Sequence, residues 1–309
     1  MLAKRRRLGR PERLRETPCR RRRYAGVVMR NGPATRAITF AAALLLGASL
    51  GPTSSAQTRD PLLGVCANGD AQSRVTACSE LLGRSGLDSA TRIAAYVNRG
   101  NAHDAAEQFD LALKDYQSAL DLDSNNWPAL RSRAGSYYRR GQLADAARDL
   151  SRAVAAMPDD VSPLRLRGQL YAEMGQTAHA IEDFSKVLDR NPGDLQARQG
   201  RGLALASTGD HARAILDFNR VLERDPRVRV TRAARAFSLF RTRQYRQAIL
   251  DWDQLLKDDP AQPQILYCRG AAKILTGDET GLADIDTVRQ QRPDVAAAES
   301  AACPLPVSR

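Results

Sequence analysis

The chain has 309 residues, enough for a sizeable core, and its 43% apolar and 27% charged content is not that of a disordered polymer. Aromatic residues make up only 5%, which argues against an all-β sandwich and for helices packed through small side chains. The net charge of +12 points to a polyanionic partner only until it is located: thirteen of the 47 Lys and Arg, and only Glu12 and Glu16 among the 35 acids, fall in residues 1–56, leaving the body close to neutral.

Residues 1–28 form a basic extension carrying Lys4–Arg7 and Arg20–Arg23. From Met29 a short basic stretch leads into an apolar run, Ala37 to Leu50, then Gly51, Pro52 and the small residues Ser54 and Ala56. This pattern predicts a secretory signal peptide over 29–56, cut before Gln57, and a periplasmic mature chain. The fourteen apolar residues are too few to cross a hydrocarbon layer of about 30 Å as a helix. Export does not need the extension, which reads either as sequence ahead of a true start at Met29 or as a basic arm for RNA or anionic lipid. Cys66 stands too far beyond the apolar run to be a lipidation site.

Residues 57–92 read as an N-terminal cap, with one amphipathic helix over 71–82. Four cysteines remain beyond the leader, an even number suited to an oxidising compartment. A Cys66–Cys78 disulfide is expected to pin the entry strand to the cap helix. For Cys268 two readings stand: a second bridge to Cys303 in the 295–309 tail, or a small buried core residue.

Over 93–294 the sequence repeats with a period of 34, in rows starting at Ile93, Trp127, Val161, Leu195, Arg229 and Pro263, the last one residue short. The eighth place is always small (Gly100, Ala134, Gly168, Gly202, Ala236, Gly270), and a large residue recurs sixteen places on, from Tyr116 to Trp252. Pro158, Pro192, Pro226, Pro260 and Pro293 stop the second helix of five rows, and Gly141, Gly175, Gly209 and Gly277 mark turns between helices. The seventh place is always arginine: Arg99, Arg133, Arg167, Arg201, Arg235 and Arg269. An aspartate follows on the facing helix each time: Asp115, Asp149, Asp183, Asp217, Asp251 and Asp284. Stacked arginines would repel one another, so the pairs are expected to form a structural ladder rather than an anion rail.

These positions resemble the tetratricopeptide repeat. The resemblance implies an all-α, right-handed superhelical solenoid of about six helix-turn-helix units, whose first helices line a concave groove that takes peptides or protein segments. Arg198, Arg232 and Lys273 depart from the family's preference for large apolar or aromatic residues. By this resemblance the groove is lined by Asn101, Arg131, Tyr138, Arg165, Gln169 and Gln199 in the early rows and by Phe237, Phe240 and Tyr267 in the later ones. The expected partner is therefore a segment acidic at one end and apolar at the other, with Arg131 and Arg165 as an unpaired couple sharing its anionic group. Residues 220–246 add nine arginines against Glu223 and Asp225, either a solvated face or an acidic-ligand site.

No phosphate loop, nucleophile elbow or metal-spaced His/Cys motif is present in the sequence, and His103, His179 and His211 occupy unrelated places. No cofactor, metal or catalytic residue is expected. The sequence reads as a non-enzymatic envelope adaptor. The alternatives are a polysaccharide- or peptidoglycan-associated factor, or a cytoplasmic nucleic-acid binder should residues 1–56 be retained.

Overall fold

The structure, a computed structural model, describes residues 60–305. The signal peptide and basic extension lie outside them. Among the described residues there are fifteen α-helices and no strand. A short pair opens the chain, α1 (Pro61–Asn68) and α2 (Ala71–Leu82). The entry to the cap, expected to be extended, is thus helical: Asp60 caps α1 and Pro61 occupies its first turn, where a missing N–H costs nothing.

Six helical pairs follow. They are α3 (Ser89–Ala105) with α4 (Phe109–Leu122), α5 (Trp127–Arg139) with α6 (Leu143–Ala156), and α7 (Val161–Glu173) with α8 (Thr177–Arg190). Next come α9 (Leu195–Thr208) with α10 (His211–Arg224), α11 (Arg229–Arg241) with α12 (Tyr245–Asp258), and α13 (Pro263–Leu275) with α14 (Gly281–Gln291). The tail, expected as an appendage, forms α15 (Pro293–Ala302), which packs on both α13 and α14 and closes the array. Capping explains why it folds: without it the last pair would leave an apolar face in water.

Small and large residues interlock between the helices of a pair. A Cβ on Gly202 would stand 2.6 Å from Cε1 of the fully buried Phe218, so only glycine allows this approach. Phe184 is clamped in the same way by Gly168 of its own row and Gly200 of the next. All six rows reverse between helices through one residue with positive φ. Four are the expected glycines, but Glu107 (φ 58°) and Arg243 (φ 63°) take the same place in the first and fifth rows.

Successive first helices touch along the array, α3 with α5, α7 with α9 and α9 with α11, while no second helix comes as close to the next. The array therefore curves with first helices inside and second helices outside. The sulfurs of Cys66 and Cys78 lie at bonding distance between α1 and α2, and those of Cys268 and Cys303 between α13 and the end of α15.

Candidate functional site

Each seventh-place arginine forks onto its aspartate. Nε and one terminal nitrogen of Arg167 donate to the two carboxylate oxygens of Asp183 at 2.8 Å each, and Arg99, Arg133, Arg201, Arg235 and Arg269 repeat the geometry at 2.7–2.9 Å. The carboxylates are buried, the six aspartates ranging from 2% to 9% exposed. The fork raises the arginine pKa at Arg99, Arg167, Arg201 and Arg269, so the cation is held charged.

The third guanidinium nitrogen reaches back to the preceding second helix. It donates to Gln117 from Arg133, to Ser151 from Arg167, to Ser185 from Arg201, to Asn219 from Arg235 and to Asp253 from Arg269. Arg99 finds Ser79 of the cap in the same manner, at 3.0 Å. These acceptors, apart from Ser79, stand two residues after a ladder aspartate and are short and polar in every row, a signal the sequence carries and the reading above passed over.

The three departures from the family pattern gather on the same carboxylates. Arg198 lies 3.5 Å from Asp217, Arg232 3.3 Å from Asp251 and Lys273 3.6 Å from Asp284. A second cation beside a buried carboxylate replaces the apolar contact these places usually make.

On the inner face the nine expected groove residues separate. Gln199 donates to Thr231 on the next first helix at 2.7 Å, and Arg165 reaches Gln196 and lies 3.8 Å from Asp194 on α9. Asn101 accepts from the Tyr116 hydroxyl at 2.9 Å, and Tyr138 donates to Glu173 at 2.6 Å. Arg131 occupies the same place in its row as Arg165 and Gln199, and Asp160 stands where Asp194 does, yet no ion pair joins Arg131 to a carboxylate among the described residues. Its Nε is buried without a hydrogen-bond partner, as is Oε1 of Gln169, and burial lowers the Arg131 pKa. The expectation of an unpaired couple is modified: Nε of Arg165 is likewise buried without a hydrogen-bond partner, but another guanidinium nitrogen of Arg165 is held by Gln196, whereas Arg131 makes neither a hydrogen bond nor an ion pair among the described residues.

The apolar half of the expected groove is corrected as well. Phe240 (4% exposed) and Tyr267 (2%) belong to the core, packed with Trp252, Cys268 and Cys303. Tyr267 is on the last first helix, which is followed by α15 instead of another full row, whereas Phe240, on α11, packs on Tyr245 and Trp252 of its own row's second helix. Phe237 is partly buried on the same cluster, with its ring 6.0 Å from that of His211. His103 bonds Gln108 and His179 lies against Tyr171. Among the described residues no group of three or more His, Cys, Asp or Glu could hold a metal ion, and no helix is long and apolar enough to cross a membrane.

Geometrically the chain is a solenoid of helical pairs, each pair held by an Arg–Asp fork whose third nitrogen ties it to the row before, with an inner face rich in hydrogen-bonding groups. Tetratricopeptide repeat models match residues 93–126 and 165–228. The chain superposes on a tetratricopeptide repeat protein from Parabacteroides merdae with a TM-score of 0.55 at 21% identity, over 79% of this chain and 96% of that one. YrrB, described as a TPR protein with an unusual peptide-binding site, aligns with a TM-score of 0.53 at 20% identity over 61% of this chain and 95% of its own. MamA aligns at 0.51 and 19% identity, over 54% and 92%. At these identities the likeness is one of fold. Stretches of 66 and 76 residues are each 36% identical to sperm-associated antigen 1 of Mus musculus and Rattus norvegicus, covering 21% and 25% of this chain but only 7% and 8% of those proteins. Residues 93–126 and 165–228 are thus tetratricopeptide repeats, and the described residues share the fold of tetratricopeptide-repeat proteins.

Proposed function

We propose that this chain is a non-enzymatic adaptor of the bacterial cell envelope, exported through residues 29–56, which holds a protein or peptide segment against its inner face with an acidic residue at Arg131. The observation that carries the reading is the Arg131 guanidinium: half-buried, its Nε out of reach of water, and without the partner that Arg165 and Gln199 find at the same place. A cation in that state is stabilised by an incoming carboxylate, while Gln169 offers an unused carbonyl oxygen to a donor. Tetratricopeptide-repeat proteins generally act as adaptors, and YrrB carries a peptide-binding site in its description. The two cysteine pairs, which would persist in an oxidising compartment, support export, as does the leader. With Phe240 and Tyr267 sealed in the core, the segment is read as acidic and polar, without the apolar anchor.

Cross-linking in cells followed by pull-down tests this. Arg131→Glu is expected to lose the captured partner while thermal stability stays within about 1 kcal/mol of the parent, as at sites with no structural role. Retained capture, or unfolding of the variant, would place Arg131 in the scaffold. Amino-terminal sequencing of the protein from cells should begin at Gln57.

A further inference from the structure

Apart from Leu282 (49% exposed) on α14, the exposed leucines of the second helices fall into two groups of opposite surroundings. On α4, Leu111 (48% exposed) and Leu122 (46%) stand three turns apart on the outer stripe. Glu107, Asp110, Asp121 and Asp123 are exposed beside them, against Lys114 and Arg140, which lies 2.6 Å from Asp110. On α10 and α12, Leu216 (65%) and Leu250 (69%) occupy the same place in successive rows, a place that is Lys114, Arg148 and Glu182 in the first three. Exposed cations rim this second pair, Arg213 and Arg246 towards one end of the helices and Arg220 and Lys257 towards the other. Shallow grooves flank Leu250, bounded by Asn219 and Gln247 on one side and by Gln254 and Lys257 on the other.

Isolated exposed leucines are ordinary, but two leucine faces on one molecule, one acid-rimmed and one base-rimmed, are complementary to each other. We infer that α4 of one molecule docks on α10 and α12 of a second copy, leucines against leucines and carboxylates against guanidinium groups. The two patches are different surfaces, so the contact is heterologous. A closed two-fold pair would need both ends of two outward-curving faces to touch at once, which their curvature forbids. Association is therefore head to tail and open-ended, leaving one acidic and one basic face unfilled at the ends. It uses the outer face and is independent of capture at Arg131.

Sedimentation velocity on the full chain across a wide dilution series tests this. The mass of the parent is expected to rise with concentration without a plateau and to fall to the monomer in high salt. Asp110→Lys with Asp121→Lys should give a monomer, and so should Arg246→Glu with Lys257→Glu. All four positions are exposed, and circular dichroism checks that the helices persist. Mixed together, the two double variants are complementary at both contacts, unchanged face on unchanged face and reversed face on reversed face, and should regain the concentration-dependent growth that each lacks alone. A parent that is monomeric throughout, a plateau at the dimer, or a mixture that fails to pair would overturn the inference. Assembly that needs the α4 acids yet survives reversal of Arg246 and Lys257 would overturn it too, by pointing to the basic residues 1–36 as the occupant of α4.

Discussion

Glu107 and Arg243 hold the left-handed turn that glycine takes in the other four rows, and a side chain there meets its own carbonyl oxygen at a cost of roughly 1 kcal/mol or more. Glu107→Gly and Arg243→Gly are accordingly expected to raise the melting temperature, each by the equivalent of up to about 1 kcal/mol after the loss from a more flexible unfolded chain. Gly141→Ala should move it the other way, and calorimetry compares all three. Glu299, on α15, is 3% exposed and burial pushes its pKa up to about 7 from 4.5. A carboxyl that prefers its proton in the folded state favours folding at low pH, so stability should fall as pH rises from about 4.5 to about 7 and then level off. Glu299→Gln is expected to remove that slope and add about 1–3 kcal/mol at pH 8, read from denaturant midpoints across pH. Neither effect was legible in the sequence. The turn signal was sought as glycine, and one glutamate among 35 acids gives no hint of burial until α15 is seen to fold.

Between helices, the ladder is an asymmetric interaction. Arg167 keeps 17% of its side chain exposed while Asp183 keeps 3%, so removing the arginine strands a buried charge, whereas removing the aspartate frees a cation that water can still reach. Arg167→Ala is therefore expected to cost about 3–5 kcal/mol, more than Asp183→Ala. The double variant should cost clearly less than the sum, and a double-mutant cycle measures the coupling. Additive losses would mean that the two side chains stabilise the pair separately. The ladder positions, the close approach at Gly202 and the helix stops were readable because each recurs at a fixed place in several rows, and repetition separates a constraint from chance. Arg198, Arg232 and Lys273 looked like defects in a family pattern because the pattern says what a place usually holds. Their role depends on which carboxylate lies within 4 Å, and that is a fact of tertiary packing.

Along the whole molecule, each pair contacts chiefly its neighbours, so the ends decide whether the array stays closed. Truncation after Arg292 removes α15 and Cys303 and uncovers the faces of α13 and α14 on which α15 packs, with Cys268 among them. Hydrogen exchange is expected to show protection lost first in α13 and α14 and kept in α3–α6, because stability in such arrays is nearly a sum of local terms. Uniform loss along the chain would show instead a single cooperative unit. This is also where place in the repeat misleads: Tyr267 lies at a position that is inner-face in internal rows, and the last row is not internal, while Phe240, in the internal fifth row, turns onto Tyr245 and Trp252 of its own second helix. Arg131, in contrast, was picked out by its place. Its isolation was not legible, because the next row carries Asp160 where Asp194 stands, and only packing shows that Asp160 caps α7 without pairing with Arg131.

The backward reach of the ladder has a consequence for how the chain is made. Every cross-row bond from a seventh-place arginine runs to a residue nearer the amino terminus, from Ser79 for Arg99 to Asp253 for Arg269. A row leaving the ribosome, or emerging on the far side of a membrane, meets an acceptor that is already present and helical. It never waits for one still to be synthesised. Each arginine thus completes the row behind it, its own aspartate follows within sixteen residues, and the solenoid can be laid down in the order of translation. The cap pair α1 and α2, short as it is, then serves as the template on which the first row is registered, and α15 as the stroke that ends the run.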